Sequence, residues 1–238
     1  MILRHFTIPK INENIDSNQD FIGYDEKQKI FAIADGVTTS SYPEIWSEVI
    51  VNHFLNNPFK ELQLSRDFLK TWVDSAIETF NTKISGLEID EFITDLIKDN
   101  GAETTFLGLK IIDELKSKKI RVWAIGDSNI FHIKKNKLEN LFPITKTNDF
   151  TNFTSVFTTL SEKNQFELIS KEWSVSQGDV IIISTDAFSK WFLWATSCGQ
   201  KPWKKIQKNF SRMNKFVESL RFNDKINDDD TSFIFLKI

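Results

Sequence analysis

Four acidic positions share one design. Asp35 follows the apolar run FAIA, Asp127 follows VWAIG, Asp186 follows VIIIST, and Asp228 to Asp230 come just before TSFIFLKI. The end of a strand is a rigid place from which a carboxylate can point into a common cleft. Carboxylates brought together repel one another unless protons or cations intervene. Donor sets made only of oxygen suit hard ions such as Mg²⁺ and Mn²⁺. One Asp after a strand is ordinarily a turn residue. Four such sites in one chain point instead to a shared cation centre.

Other chemistries find little support. Cys198 is followed six residues later by Lys204 and not by Arg, so a cysteine-phosphatase pattern is missing. His5, His53 and His132 are scattered, lack metal-ligand spacing and read as surface or packing residues. No Gly-x-Ser-x-Gly element and no phosphate-binding Gly-Lys-Ser/Thr loop is present. Net charge is −3, with 33 acidic and 30 basic residues well mixed, which is no nucleic-acid footprint. The lone Cys198 excludes an internal disulfide and suits a reducing compartment. Residues Met1 to Lys10 carry Arg4, His5 and Lys10 and do not look like a secretory signal. No apolar run approaches the ~18 residues of a membrane span. A cytoplasmic protein is expected.

The elements that must hold the acids can be read in part. With 22 Phe and 7 Trp, the 238-residue chain can build a sizeable core, and only 8 Gly and 5 Pro leave little to mark a domain boundary. One domain over residues 1–238 is expected. A buried strand is predicted over Lys29 to Ala34. A helix follows, with Ser41 and Glu44 at capping-box spacing and Pro43 in its first turn. Phe68, Trp72, Ala76 and Phe80 recur every four residues and predict a second helix, and a short third one is expected over Asp90 to Lys98. Strands are predicted over Thr104 to Ile112, Lys119 to Ile125 and Asn129 to Lys134. Asn136 and Lys137 read as a hairpin tip before Leu138 to Phe142. Residues Asn148 to Asn164 read as a long surface loop. A strand over Val180 to Thr185 follows, then helices over Ala187 to Thr196 and Trp203 to Leu220, and a last strand over Ser232 to Ile238. Trp191 and Trp194, beside Phe188 and Phe192, are expected in the core. Lys201 to Lys208 is expected to be a solvated helix face. This order suggests an α+β fold of layered sheets and helices.

The acidic sites lie in an ordered series of short elements: Asn18-Gln19-Asp20, Ala34-Asp35-Gly36, Gly101-Ala102-Glu103-Thr104-Thr105, Ile125-Gly126-Asp127-Ser128-Asn129, Gly178-Asp179 before Ser184-Thr185-Asp186-Ala187, and Asp228-Asp229-Asp230-Thr231-Ser232. In order and approximate spacing, from about residue 10 to the C-terminus, the series resembles the PP2C-type metal-dependent Ser/Thr protein phosphatases. The resemblance implies a four-layer α-β-β-α sandwich of two antiparallel sheets flanked by helices. It implies two Mn²⁺ or Mg²⁺ ions and a third, weaker one. Asp35 would bridge two ions and the Gly36 carbonyl would bind one. Asp186 and the terminal Asp would complete the first site, Asp127 would hold the weaker ion, and Asp20 and Gln19 would act on the second through water. Water activated by the metal pair would attack phosphorus in line with the Ser or Thr leaving oxygen. The implied partners are a phosphorylated protein substrate and a Ser/Thr kinase, with neither nucleic acid nor membrane.

The terminal acid is expected to be Asp229, three positions before Ser232. Asp228, three before Thr231, is the second choice, and Asp230 the third. Other positions depart from the family pattern. The phosphate-gripping Arg falls on Ile15, which leaves Lys10 or Arg4 to supply a less directional charge. Thr38-Thr39 and Ala187 stand where the family has glycines. The rival expectation is a catalytically weak or inactive domain of this type that binds phosphoproteins or regulates a kinase.

Overall fold

The strand β3 (Ile30–Asp35) shows how the layers arise. Ile30, Ala32 and Ala34 join one apolar cluster, while Phe31 and Ile33 join another on the opposite face. Alternation of that kind places a strand between two apolar layers. The computed structural model describes residues 1–87, 97, 99–115, 117–150, 155–165 and 167–238.

In the second sheet the order is β10 (Ile169–Val175), β6 (Lys118–Ile125), β5 (Phe106–Asp113), β3 and β2 (Asp20–Asp25). In the first it is β1 (Ile2–Ile8), β12 (Thr231–Lys237), β11 (Val180–Ser184), β7 (Asn129–Lys134) and β8 (Lys137–Phe142). All of these pairings are antiparallel. A small ladder joins β4 (Glu103–Thr104) to β9 (Phe157–Thr158). Leu107, Val122, Ile181, Ile183 and Ile234 fill the space between the two large sheets. Helices α1 (Pro43–Asn56) and α2 (Arg66–Ser85) cover the second sheet through Trp46, Phe54, Trp72 and Phe80. Helices α3 (Asp186–Ser197), α4 (Pro202–Asn209) and α5 (Met213–Phe222) cover the first through Phe188, Trp191, Ile206 and Val217. The expected α-β-β-α sandwich is therefore what the chain forms. Among the described residues, no helix is long and apolar enough to cross a membrane.

Several local expectations need correction. Helix α1 is not capped by Ser41: its N-cap is Tyr42, at φ 51°, with no side-chain cap. Pro43, the first residue of α1, packs closely on Gly36 just after β3, where an added Cβ would lie 2.7 Å from Pro43 atoms. In α2 the cap is Ser65, which accepts from the Phe68 N–H, and Phe68 itself is exposed; the buried stripe begins at Leu69. The hairpin tip is Lys135-Asn136, both with positive φ, one residue earlier than expected. Such φ values match the twist of a tight two-residue hairpin.

The segment expected as a loop over 148–164 contains β9 and a 3₁₀ turn at Ser161–Lys163. Phe157 there is fully buried and accepts the Trp46 indole N–H at its carbonyl, so this stretch belongs partly to the core. The single helix expected over Trp203 to Leu220 is two helices joined by a 3₁₀ turn, Phe210–Arg212. Asn209 and Ser211 favour local bonds over helix, and the break lets the Phe210 ring meet Phe233 edge-on. Trp191 is buried as expected, whereas Trp194 is partly exposed. The helix expected over Asp90 to Lys98 lies outside the described residues, except for Ile97, which is helical and buried.

Candidate metal centre

Asp20 opens β2 and Asp35 closes β3, and the two stand directly opposite each other in the antiparallel register. By strand alternation both share the face of Ile22, Phe31 and Ile33, which lies toward the other sheet. Their carboxyl groups therefore enter one end of the space between the sheets. Asp186, the first residue of α3, comes to the same end from the first sheet, because β11 and β12 hold Thr185 there. Asp127 follows β6 after Gly126. That glycine has φ 92°, and an added Cβ would lie 2.6 Å from Thr105 and 3.1 Å from the Ser155 carbonyl, so only glycine fits the turn.

The electrostatics follow from this placement. Burial drives the Asp35 carboxyl well above the usual carboxylate range, and the charges of Asp20, Asp186, Asp127 and Asp229 add to it. Asp20 is raised in the same way by burial, then by Asp230 and, more weakly, Asp186, against the hydrogen bond from Thr185. Asp127 is pushed up to about 7, by burial first and by Asp186 second. These acids come from segments spread along nearly the whole chain.

Asp20 is only half satisfied. Its Oδ2 accepts from the Thr185 hydroxyl at 2.9 Å, and that hydroxyl oxygen in turn accepts from the Ser232 N–H at 3.1 Å. Its Oδ1 is buried with no hydrogen-bond partner. A buried carboxylate oxygen without a donor is costly, and a hard cation, which takes oxygen ligands, is the partner that chemistry favours. As the side chains stand, no three His, Cys, Asp or Glu among the described residues form a ready-made ligand group. Donor chemistry and the orphan oxygen fit divalent ions, with the acids ringing the cleft instead of converging on one point.

The three terminal acids separate cleanly. Asp228 is half exposed, accepts from the Ile11 N–H at 2.9 Å and lies 3.8 Å from Arg221 Nε. Asp229 faces the cluster, where it acts on Asp35 and Asp127 and lies 3.4 Å from Lys10 Nζ. Asp230 is buried and binds backbone, accepting from Lys10 N–H at 3.1 Å and Gln19 N–H at 2.9 Å. It ties the Lys10–Gln19 segment to β12.

Lys10 Nζ also reaches Gln19 Oε1 at 3.4 Å and Thr38 Oγ1 at 3.2 Å, and Thr38 donates to the same Gln19 oxygen at 2.7 Å. Gly36 donates its N–H to the Gln19 carbonyl at 3.0 Å. Gln19, Thr38 and Lys10 thus form a polar rim beside Gly36. Arg4 is elsewhere: its guanidinium lies 4.9 Å from the Phe210 ring centroid, on the helix side of β1. The Ile15 side chain is exposed and lines a shallow groove of about 330 Å³ with Asn18, Asp20 and Tyr24. His132, expected to be a surface or packing residue, is buried and bonded to Asp179 at 2.9 Å.

Sequence reasoning missed the work of Asp230, Thr185 and Lys190. Lys190 lies one turn beyond Asp186 on α3 and donates to it at 2.5 Å. Its i,i+4 spacing was the available signal. Nothing in the sequence distinguishes Asp230, whose partners are more than 200 residues away.

The sandwich is the fold of bacterial Ser/Thr phosphatases. A bacterial serine phosphatase matches with TM-score 0.61 at 15% identity, over 100% of this chain and 98% of that one. The S. agalactiae serine/threonine phosphatase matches with TM-score 0.59 at 18% identity, over 100% of both chains. The Mycobacterium tuberculosis serine/threonine phosphatase PstP/Ppp matches with TM-score 0.60 at 15% identity, over 100% of this chain and 99% of that one. Within that fold, the family model for protein phosphatase 2C matches residues 12–228, and the chain belongs to that family. A search of curated protein sequences found no match.

Proposed function

We propose that the chain is one phosphatase domain over residues 1–238 that hydrolyses phosphoserine or phosphothreonine esters in proteins with the help of two Mn²⁺ or Mg²⁺ ions. The observation that carries this reading is the set of carboxylates that act on Asp35 from four other segments of the chain. Asp35, the Gly36 carbonyl, Asp186 and Asp229 would hold the ions directly, with Asp20 and Gln19 acting through water. Asp228 is disfavoured as the terminal ligand because its carboxylate is turned to Ile11. Ions bound there would acidify a water and neutralise the phosphoryl oxygens.

The chain's own residues supply the rest. Asp230 and Thr185 fix Gln19 and Asp20 in place. Lys10, held at Asp229 and Thr38, offers a phosphoryl oxygen a point charge where the family has a forked Arg. The partners would be a phosphorylated protein and the Ser/Thr kinase whose work the enzyme reverses. Cys198 is an exposed free thiol, which suits a reducing cytoplasm.

One observation favours a second reading, a domain of this type that binds phosphoproteins or regulates a kinase with little catalysis. Ile15 presents an exposed apolar side chain where the family pattern has its phosphate-gripping Arg. A phosphothreonine peptide incubated with Mn²⁺ separates the two. Phosphate release that stops on chelation supports the enzyme. Peptide binding with no release at saturating Mn²⁺ supports the second reading.

A further inference from the structure

A buried arginine stands behind the cleft. Arg221, in the last turn of α5, has a side chain only 2% exposed. Burying a cation is costly unless its donors are used. Here Nη1 donates to the Pro9 carbonyl at 2.8 Å, while Nη2 donates to the Asp229 carbonyl and, at 3.2 Å, to the Thr231 hydroxyl oxygen. That hydroxyl donates in turn to the Asp229 carbonyl at 3.0 Å. Among the described residues the only carboxylate within ion-pair reach is Asp228, half exposed and 3.8 Å from Nε, and Nε has no hydrogen-bond partner. The guanidinium is therefore committed to backbone carbonyls more than to charge. Its planar fork fixes the spacing of the groups that it joins. Those groups lie just after β1 and just before β12, and both adjoin the cleft. Pro9 precedes Lys10, whose Nζ lies 3.4 Å from Asp229 Oδ1.

We propose that Arg221 is a positioning residue that clamps the Pro9 and Asp229 carbonyls and so sets Lys10 and Asp229 at their working separation. This rests on the two-ion reading above, in which Asp229 holds metal and Lys10 meets a phosphoryl oxygen. Without the clamp every ligand atom is still present, but ordering them must accompany binding and weakens it. Loss of Arg221 should therefore appear in metal affinity and KM, and little in kcat once the site is saturated. A bond that merely fastens α5 to the sheet would affect the melting temperature alone.

Calorimetric titration with Mn²⁺ on wild type, Arg221→Met and Arg221→Lys, each checked for folding by circular dichroism, tests this without reference to turnover. Arg221→Met should weaken Mn²⁺ binding about tenfold or more, the usual scale for losing a group that orients a ligand. Arg221→Lys keeps the charge but not the fork, and should bind with intermediate affinity. This arm stands even if Arg221→Met fails to fold. With a phosphothreonine peptide at saturating Mn²⁺, Arg221→Met should raise KM several-fold and keep kcat within about threefold of wild type. Wild-type Mn²⁺ affinity in either folded variant overturns the proposal, whatever happens to the melting temperature. So does a tenfold loss of kcat at saturation with KM unchanged. A wild type that binds no Mn²⁺ overturns the two-ion reading itself, and this inference with it.

Discussion

Asp20 and Asp35 face each other across the β2–β3 pair, two carboxyls in direct cross-strand register at the mouth of the cleft between the sheets. Like charges in that position destabilise a sheet by roughly 0.2–1 kcal/mol. The fold keeps this arrangement although each carboxyl is also buried against its charge.

Relief of that repulsion should be measurable. With metal chelated at pH 8, Asp20→Asn should raise the melting temperature by about 1–3 °C, the shift expected for roughly half to one kcal/mol in a domain of this size. Scanning calorimetry of the two proteins decides it. A lower melting temperature would mean that the Thr185–Asp20 bond outweighs the repulsion.

The raised carboxyls also set a pH dependence. Asp20 and Asp35 sit well above the usual range and Asp127 at about 7, each through burial first. Between their unfolded values near ~4 and these folded values, the native state binds more protons than the unfolded one. Each contribution to stability is therefore full below ~4 and is lost as pH rises through the folded value, about 7 for Asp127. Chelated protein should lose melting temperature from pH 5 to pH 8, and Mn²⁺ should restore more at pH 8 than at pH 5.5, because ions compete with protons for the carboxylates. A chelated protein that gains stability over that range would contradict the assignment.

Asp229 and Asp228 offer a test of register. Asp229→Asn should weaken Mn²⁺ binding and lower kcat at least tenfold, since Asp229 faces the cluster. Asp228→Asn, which removes the charge facing Arg221 and alters the acceptor for the Ile11 N–H, should change kcat less than threefold. The reverse order in a paired kinetic comparison would place the terminal ligand one residue earlier.

Ile15→Arg should lower KM for a phosphopeptide several-fold. The position is exposed beside Asn18 and Asp20, so a guanidinium can be accommodated at little cost and could grip phosphate bidentately. Steady-state kinetics that give an equal or higher KM would show that Lys10 already fills this role.

What was legible in the sequence follows from burial. The cores of β3 and β11 are continuous apolar runs because both faces are covered, and the Asp at each end was correspondingly plain. Strands β1, β2 and β10 went unread. Each is an edge strand with one half-exposed face, and their sequences, such as DFIGYD and ISKEWSV, mix polar and apolar residues without a strong period. The break at Phe210 depends on a ring on β12. The separate duties of Asp228, Asp229 and Asp230 depend on donors near the other end of the chain. Three consecutive acids cannot reveal such partners.

The central claim is that Asp35 is the shared ligand of a two-ion site that hydrolyses phosphoesters. Its most direct test is turnover of a phosphothreonine peptide at saturating Mn²⁺ by wild type and by Asp35→Asn, with bound metal measured on the same samples. The wild type should release phosphate with two ions bound. The variant should stay folded, lose nearly all turnover and hold fewer ions. An Asp35→Asn protein with wild-type turnover and two bound ions would contradict the account.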